Sequence, residues 1–408
     1  MLKPTSDGAD SQADLRGAAP IFRAVRTAGR ASRAEIIEST GLSRMTLTQR
    51  LGVLLSAGLL REAETIPSGG RPTRVLTLNP EFGVILSADV GEHRIRISAS
   101  DPTPTILEQE VIAYQVGEGP EATLERIAAG LEAMLARTGT PRFVVGLGIS
   151  LPAPVDRWAG RAVGPSILLG WDDFDVVGWM ERRLGVPTIA ENDVNLMTVY
   201  ECRRQPAFAE PFLFIKMGTG IGSGLISDGR LYRGAHGAAG DIGHIQFARS
   251  PAPLCRCGKT GCVEAHAAGW AIARDLTAQG FPAEDARDVL ALVDRQVPEA
   301  VRLLREAGRT LGEVAADAIS ILNPGTLVIG GTLARAPDHL LAGVREMIYQ
   351  RCLPLATRDL TIVSAPPSDV ACLLGAASEL LDHVFDASRV EDLLARYGSR
   401  GRVPAACI

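Results

Sequence analysis

The sequence predicts an α/β protein in two lobes behind a small, basic, helical head, and three observations lead there. The chain is 408 residues long and 46% hydrophobic, enough to bury more than one core and too ordered in composition for wholesale disorder. Charge is unevenly placed: residues 15–78 hold ten arginines, no lysine and four glutamates, a net +6, so the remainder carries −11 of a total of −5. From Phe82 onward the texture changes from short amphipathic helices to apolar strands alternating with longer helical patterns. A basic head on an acidic body fits nucleic acid at one end only. No uncharged apolar stretch is long enough for a membrane span. The first residues, MLKPTSDGADSQADLRG, lack the apolar core of a signal peptide and read as a disordered leader over residues 1–14. A cytoplasmic protein is expected.

The head, residues 15–80, is built from local signals. Ile21, Phe22 and Val25 give one face of a first helix. Ser32 and Glu35 form a capping box that opens a second helix, which ends at Gly41. Ser43 then caps a third helix to about Leu55, with Leu47, Leu51, Leu54 and Leu55 inside. Arg44, Thr46, Thr48, Gln49 and Arg50 line its other side. Helix, tight glycine turn and a capped helix with an Arg/Thr/Gln face is helix-turn-helix organisation. In that arrangement Arg and Gln reach base edges in the major groove of a double-stranded operator, and Ser43 and the threonines reach phosphates. Leu59–Glu62 and Val75–Leu78 are the strands of a wing whose tip, Ile66–Gly70, is followed by Arg71, placed to enter a minor groove.

In the body, Val84–Val90 reads as a buried strand with Arg94–Ser98 as hairpin partner, a helix follows at about Pro120–Arg137, and Phe143–Ile149 is the next strand. A second half opens near Glu191 with its own strand, Phe212–Met217. Two such halves with glycine-rich turns suggest the duplicated, hinged architecture of actin-like ATPases, the ribonuclease H-like fold of sugar kinases. The expected division is a small lobe at 81–190, rejoined by a C-terminal helix within 371–396, and a large lobe at 191–370.

Seven cysteines are few and odd in number, and three crowd together as Cys255, Cys257 and Cys262, beginning eleven residues after His244. One imidazole and three thiolates make a soft tetrahedral set that selects zinc in a closed, structural site. Gly258 and Gly261 allow the tight turns such a site needs. Asn192 and Asp193 follow the apolar strand Val186–Ala190, at the end of a strand where α/β proteins gather ligands. Their donors and acceptors suit vicinal hydroxyls, although the same pair also suits an Asx turn capping the next helix. Gly218, Thr219, Gly220 and Gly222 form a loop whose N–H groups could face phosphate, and a crowded turn needs glycines as well.

These motifs occur in one order: Asp89-Val90-Gly91, Glu191-Asn192-Asp193-Val194-Asn195, Gly218–Gly224, Asp241-Ile242-Gly243-His244, the cysteine cluster, and Asn323-Pro324 leading to Gly330-Gly331. In that order they resemble the ROK (repressor, ORF, kinase) family, and the head resembles the N-terminus of ROK repressors. The resemblance implies sugar-hydroxyl contacts at Asn192, Asp193, His244 and Glu264, with Asp241 where the family normally has glutamate and Ser166 as a weaker contact. It also implies that Asp193 occupies the position of the catalytic base. The first phosphate loop departs from the kinase pattern Asp-x-Gly-Gly-Thr, because Gly91 is followed by Glu92 and His93. A negative side chain where triphosphate should lie costs on the order of several kcal/mol. The expected function is therefore a DNA-binding regulator, probing a sugar or sugar phosphate with an impaired kinase body and acting as a homodimer or homotetramer. The alternative is an ATP-dependent sugar kinase with an accessory head.

Overall fold

In the computed structural model the residues described are 7–398, except 65–73, 93, 115, 138–142, 165–166, 206–207, 209 and 387. Helix α1 spans Asp7–Ala28, so residues 7–14, expected to be part of a disordered leader, are its first turns. The physical reason is propagation: once Ala18–Val25 are packed as helix, each further residue adds a hydrogen bond at little cost. A short strand β1 (Arg30–Ser32) leads into α2 (Arg33–Thr40). Ser32 caps α2 as expected, its Oγ accepting from the Glu35 N–H at 3.3 Å while the Ser32 N–H donates to the Glu35 carboxylate at 2.7 Å. That backbone donor holds the Glu35 carboxyl below the usual carboxylate range. Gly41 closes the helix at φ +68°, a conformation open to glycine without strain. Ser43 caps α3 (Arg44–Ser56) in turn, accepting from the Thr46 N–H. Ser32→Ala, which removes half of the capping box, is expected to lower stability by about 1 kcal/mol in a chemical melt.

Strand β2 (Leu60–Glu64) pairs antiparallel with β3 (Arg74–Leu78), and β1 adds to the other edge of β3. This third strand was not expected, because three residues carry too little periodicity to announce themselves. The wing tip, with Arg71, lies outside the described residues.

The chain divides into two units: residues 1–150, 174–190 and 376–408 in one, 151–173 and 191–375 in the other. The head belongs to the first. Ala18, Ile21, Phe22 and Val25 of α1 share one buried cluster with Leu380, Leu381, Val384, Phe385, Val390 and Leu393 near the C-terminus. Phe22 stacks on Phe385 with ring centroids 3.7 Å apart. Arg26 donates to the Asp382 carboxylate and, at 2.7 Å, to the Ser378 carbonyl. Tyr397 stacks on Phe82, extending the same core to the start of the body.

The first unit's body is a five-stranded sheet from Val84–Val90, Arg94–Ser100, Ile106–Ala113, Val144–Leu151 and Thr188–Asn192. Numbered by appearance, these strands lie in the order third, second, first, fourth, fifth. The second unit repeats that order with Phe212–Met217, Ile221–Ser227, Arg230–Leu231, Thr326–Gly330 and Thr361–Ser364. In each sheet the first strand pairs antiparallel with the second and parallel with the fourth. The duplicated fold is thus written twice in one chain. Residues 151–173, expected in the small lobe, fall in the second unit, where the Asn192 amide donates to the Ala153 carbonyl and Arg157 approaches Glu191. Among the described residues no helix is long and apolar enough to cross a membrane.

Candidate functional site

The strand Thr188–Asn192 delivers Asn192 to the first turn of the helix Asp193–Arg204. The Asn192 Oδ1 accepts from the N–H groups of Val194 (2.9 Å) and Asn195 (3.3 Å), and its Nδ2 donates to Ala153. The side chain is therefore the helix cap, which was the competing reading of this residue. Asp193 is buried, and one carboxylate oxygen lies 2.5 Å from the Lys216 ammonium. Lys216 comes from the strand Phe212–Met217 of the second sheet, so this pair joins positions 23 residues apart.

The preceding residue, Glu191, is 2% exposed, and its carboxylate accepts from the Asn192 N–H, the Asn195 amide and Arg233 (2.7 Å), with Arg157 at 3.9 Å. A buried carboxylate without partners is costly, and here guanidinium groups and amides supply them. Sequence reasoning gave no role to Lys216, Glu191, Arg157 or Arg233. The signal available was a Glu inside an apolar strand and cations after strands, which is too common a pattern to single them out.

Three of the glycines in the 218–224 segment are accounted for by packing, while a Cβ at Gly218 would meet nothing closer than 3.7 Å. A Cβ at Gly220 would fall 2.7 Å from Glu264 Oε2, at Gly222 2.9 Å from Val194, and at Gly224 2.2 Å from the Thr198 hydroxyl. The Glu264 carboxylate accepts the Ile221 N–H at 3.1 Å, so it braces this loop. Gly269 donates to the Gly218 carbonyl at 2.8 Å from the other side. The structure thus links Asp193, the loop and Glu264 in series.

Four side chains converge next to Glu264. His244 ends a single 3-10 turn (Ile242–His244), Cys255 and Cys257 sit in a knuckle closed by the Leu254–Thr260 bridge, and Cys262 begins the helix Val263–Ala267. The ligand atoms of all four lie within 4.8 Å of one another and could hold a metal ion. Cys257 and Cys262 sulfurs are 3.7 Å apart, and Cys255 Sγ is 3.7 Å from His244 Nδ1. Burial pushes the Cys255 thiol up to about 12 and the Cys262 thiol upward. Gly258 and Gly261 take φ of +86° and +73°, as the tight turns require. His244 Nδ1 faces the thiols, while Nε2 lies 3.9 Å from the exposed Asp241 carboxylate. One imidazole can thus serve a metal with one nitrogen and a ligand with the other.

In the first unit, Asp89, the last residue but one of its strand, is paired to Arg96 (3.3 Å), its antiparallel neighbour, and accepts from the Ser150 hydroxyl at 2.8 Å. Glu92 follows Gly91, while His93 and Ser166 lie outside the described residues.

On the head, Arg44, Thr48 and Gln49 are exposed on α3. Thr48 donates back to the Arg44 carbonyl, and the Ser43 and Thr46 hydroxyls lie 2.8 Å apart at the cap. Arg50 is placed differently. Its guanidinium lies over α1, where a Cβ at Gly17 would come within 2.4 Å of it.

The ROK family profile matches residues 85–382. The chain is 26% identical to the xylose repressor of Caldicellulosiruptor bescii over 87% of its length and 92% of the repressor's. It is 32% identical to the N-acetylmannosamine kinase of Citrobacter koseri over 72% of its own length and 97% of the kinase's. A solved ROK family transcriptional regulator, described as a homologue of the E. coli MLC protein, covers 94% of this chain and all of its own at a TM-score of 0.80 and 22% identity. With the family matched over most of its length and the repeated five-stranded sheets in place, this chain belongs to the ROK family.

Proposed function

We propose that the protein is a sugar-responsive DNA-binding transcriptional regulator, a repressor of carbohydrate uptake or catabolism genes, whose kinase-like body senses rather than phosphorylates. The observation that carries this reading is the head. It presents a capped helix with Arg44, Thr48 and Gln49 exposed, and the xylose repressor matches 87% of the chain whereas the kinase match covers 72%. The body supports it. Asp193, at the position of the family's catalytic base, has one oxygen on the Lys216 ammonium, and a sugar hydroxyl would compete with that ammonium for it. Asp89 of the first phosphate loop is held by Arg96 and Ser150, and Glu92 adds a negative charge beside it.

In this reading Asp193, Asp241, His244 Nε2 and Glu264 meet sugar hydroxyls, and Asn192 sets the helix that carries Asp193. Zinc is the metal assigned to His244, Cys255, Cys257 and Cys262. A tetrahedron with Zn–S distances of about 2.3 Å has edges of roughly 3.8 Å, and the Cys257–Cys262 separation is 3.7 Å. Four protein ligands leave no open position, so its role is to fix the segment from His244 to Glu264. A sugar or sugar phosphate changes DNA binding only as far as it binds one conformation of the protein better than another. A homodimer or homotetramer follows from two half-sites per operator.

The test is capture of genomic DNA fragments by the purified protein with and without a panel of sugars and sugar phosphates. A discrete palindromic site, lost or gained with one sugar, is expected. No enrichment at low salt, together with sugar-dependent ADP release from ATP, would replace the regulator by the kinase.

A further inference from the structure

Two residues of α3 are poor local choices. Met45 is 81% exposed, although Leu47, Leu51 and Leu54 of the same helix are at most 2% exposed. Gly52 sits in the helix interior, where glycine is less favourable than alanine. Nothing among the described residues explains it: its φ is not positive, and a Cβ there would meet none of their atoms within 4 Å. Gly17 offers the contrast, because there a guanidinium occupies the space a Cβ would fill.

Both oddities fall on one stripe. Met45, Gln49, Gly52 and Ser56 are spaced by four, three and four residues, on the side of α3 opposite its buried leucines. Arg44 and Thr48 flank that stripe, and α3 contains no acidic residue. Met45 is the second residue after the Ser43 cap, in the turn of a recognition helix that reaches base edges.

Building on the regulator reading, we propose that Met45 reads a thymine by packing on its C5-methyl group, and that Gly52 lets the duplex approach α3 as closely as its helical backbone allows. A thymine methyl is the one apolar group in the major groove, and an exposed thioether on a basic helix is suited to cover it. The basic head, +6 over residues 15–78, selects duplex DNA over an apolar protein surface as the occupant.

The test begins with full-length protein and a site selected from randomised duplexes, in which each thymine is replaced singly by deoxyuridine, removing only the methyl. One substitution per half-site is expected to weaken binding by the native protein about threefold to tenfold. The same substitution should leave Met45→Ala unaffected, with other deoxyuridine penalties retained. Deoxyuridine without effect at every position, or a penalty that survives Met45→Ala, overturns the thymine contact while leaving the regulator standing. Failure to select any site removes both. Gly52→Ala should melt at the same temperature or higher and yet bind DNA about tenfold more weakly. Native affinity in that variant overturns the close approach.

Discussion

Serine in place of Cys257 is expected to strip the metal from the protein and to lower the melting temperature of the second unit by roughly 10 °C. Four ligands from three short local elements hold this region, and none of those elements is long enough to be stable alone: a single 3-10 turn, a hairpin knuckle and a five-residue helix. A structural metal that binds only the folded state adds its binding free energy to folding. Losing roughly 4 kcal/mol of it shifts a domain of this size by about 2–4 °C per kcal/mol. Because the Glu264 carboxylate holds the Ile221 N–H, the sugar response should weaken in parallel. Metal content by atomic spectroscopy and a thermal melt decide it. One zinc per chain in the variant would remove Cys257 from the ligand set, and an unchanged melt after chelation of the native protein would exclude a structural metal here.

Phe22→Ala is the second large effect. Phe22 is 3% exposed and stacked on Phe385, and truncating such a ring costs about 3–5 kcal/mol. Its ring belongs to a cluster that also holds Ile85, Val145 and Ile189 of the first sheet. The variant is therefore expected to lose operator binding and to destabilise the first unit's sheet with the head, as one transition. An independent early melt of the head, with the rest of the first unit as stable as before, would show that the two do not share a core energetically. Retained zinc would confirm that damage is confined to the first unit.

What the sequence disclosed and what it hid divide by the distance between interacting residues. Ser32 with Glu35, Gly41 with Ile37 and Ser43 with Thr46 are bonds across one helical turn, so spacing alone locates them. The helix Pro120–Arg137 and the strands Val84–Val90 and Phe212–Met217 are long and strongly patterned, and were equally legible. The four side chains that could hold a metal ion, His244 to Cys262, fall within a 19-residue stretch and could be read as a set. The pairing of Lys216 with Asp193 spans 23 residues and that of Arg26 with Asp382 spans 356, and no periodicity encodes either. Asn192 shows the subtler difficulty. An amide that could hold a sugar and one that caps a helix look the same in sequence, and the structure has it capping.

The cluster that joins α1 to the C-terminal helices bears on how such proteins can be recombined. Residues contributing to it come from both extremes of the chain, from Ala18 to Leu393. A chimera that joins another regulator's first eighty or so residues to this body would expose Phe385, Val390 and Leu393 to a foreign surface. The exchangeable cassette therefore has two pieces, the N-terminal head and the C-terminal segment from Ser378 onward that receives Arg26 and Phe22. Biosensors built by exchanging heads among relatives should be cut at both places.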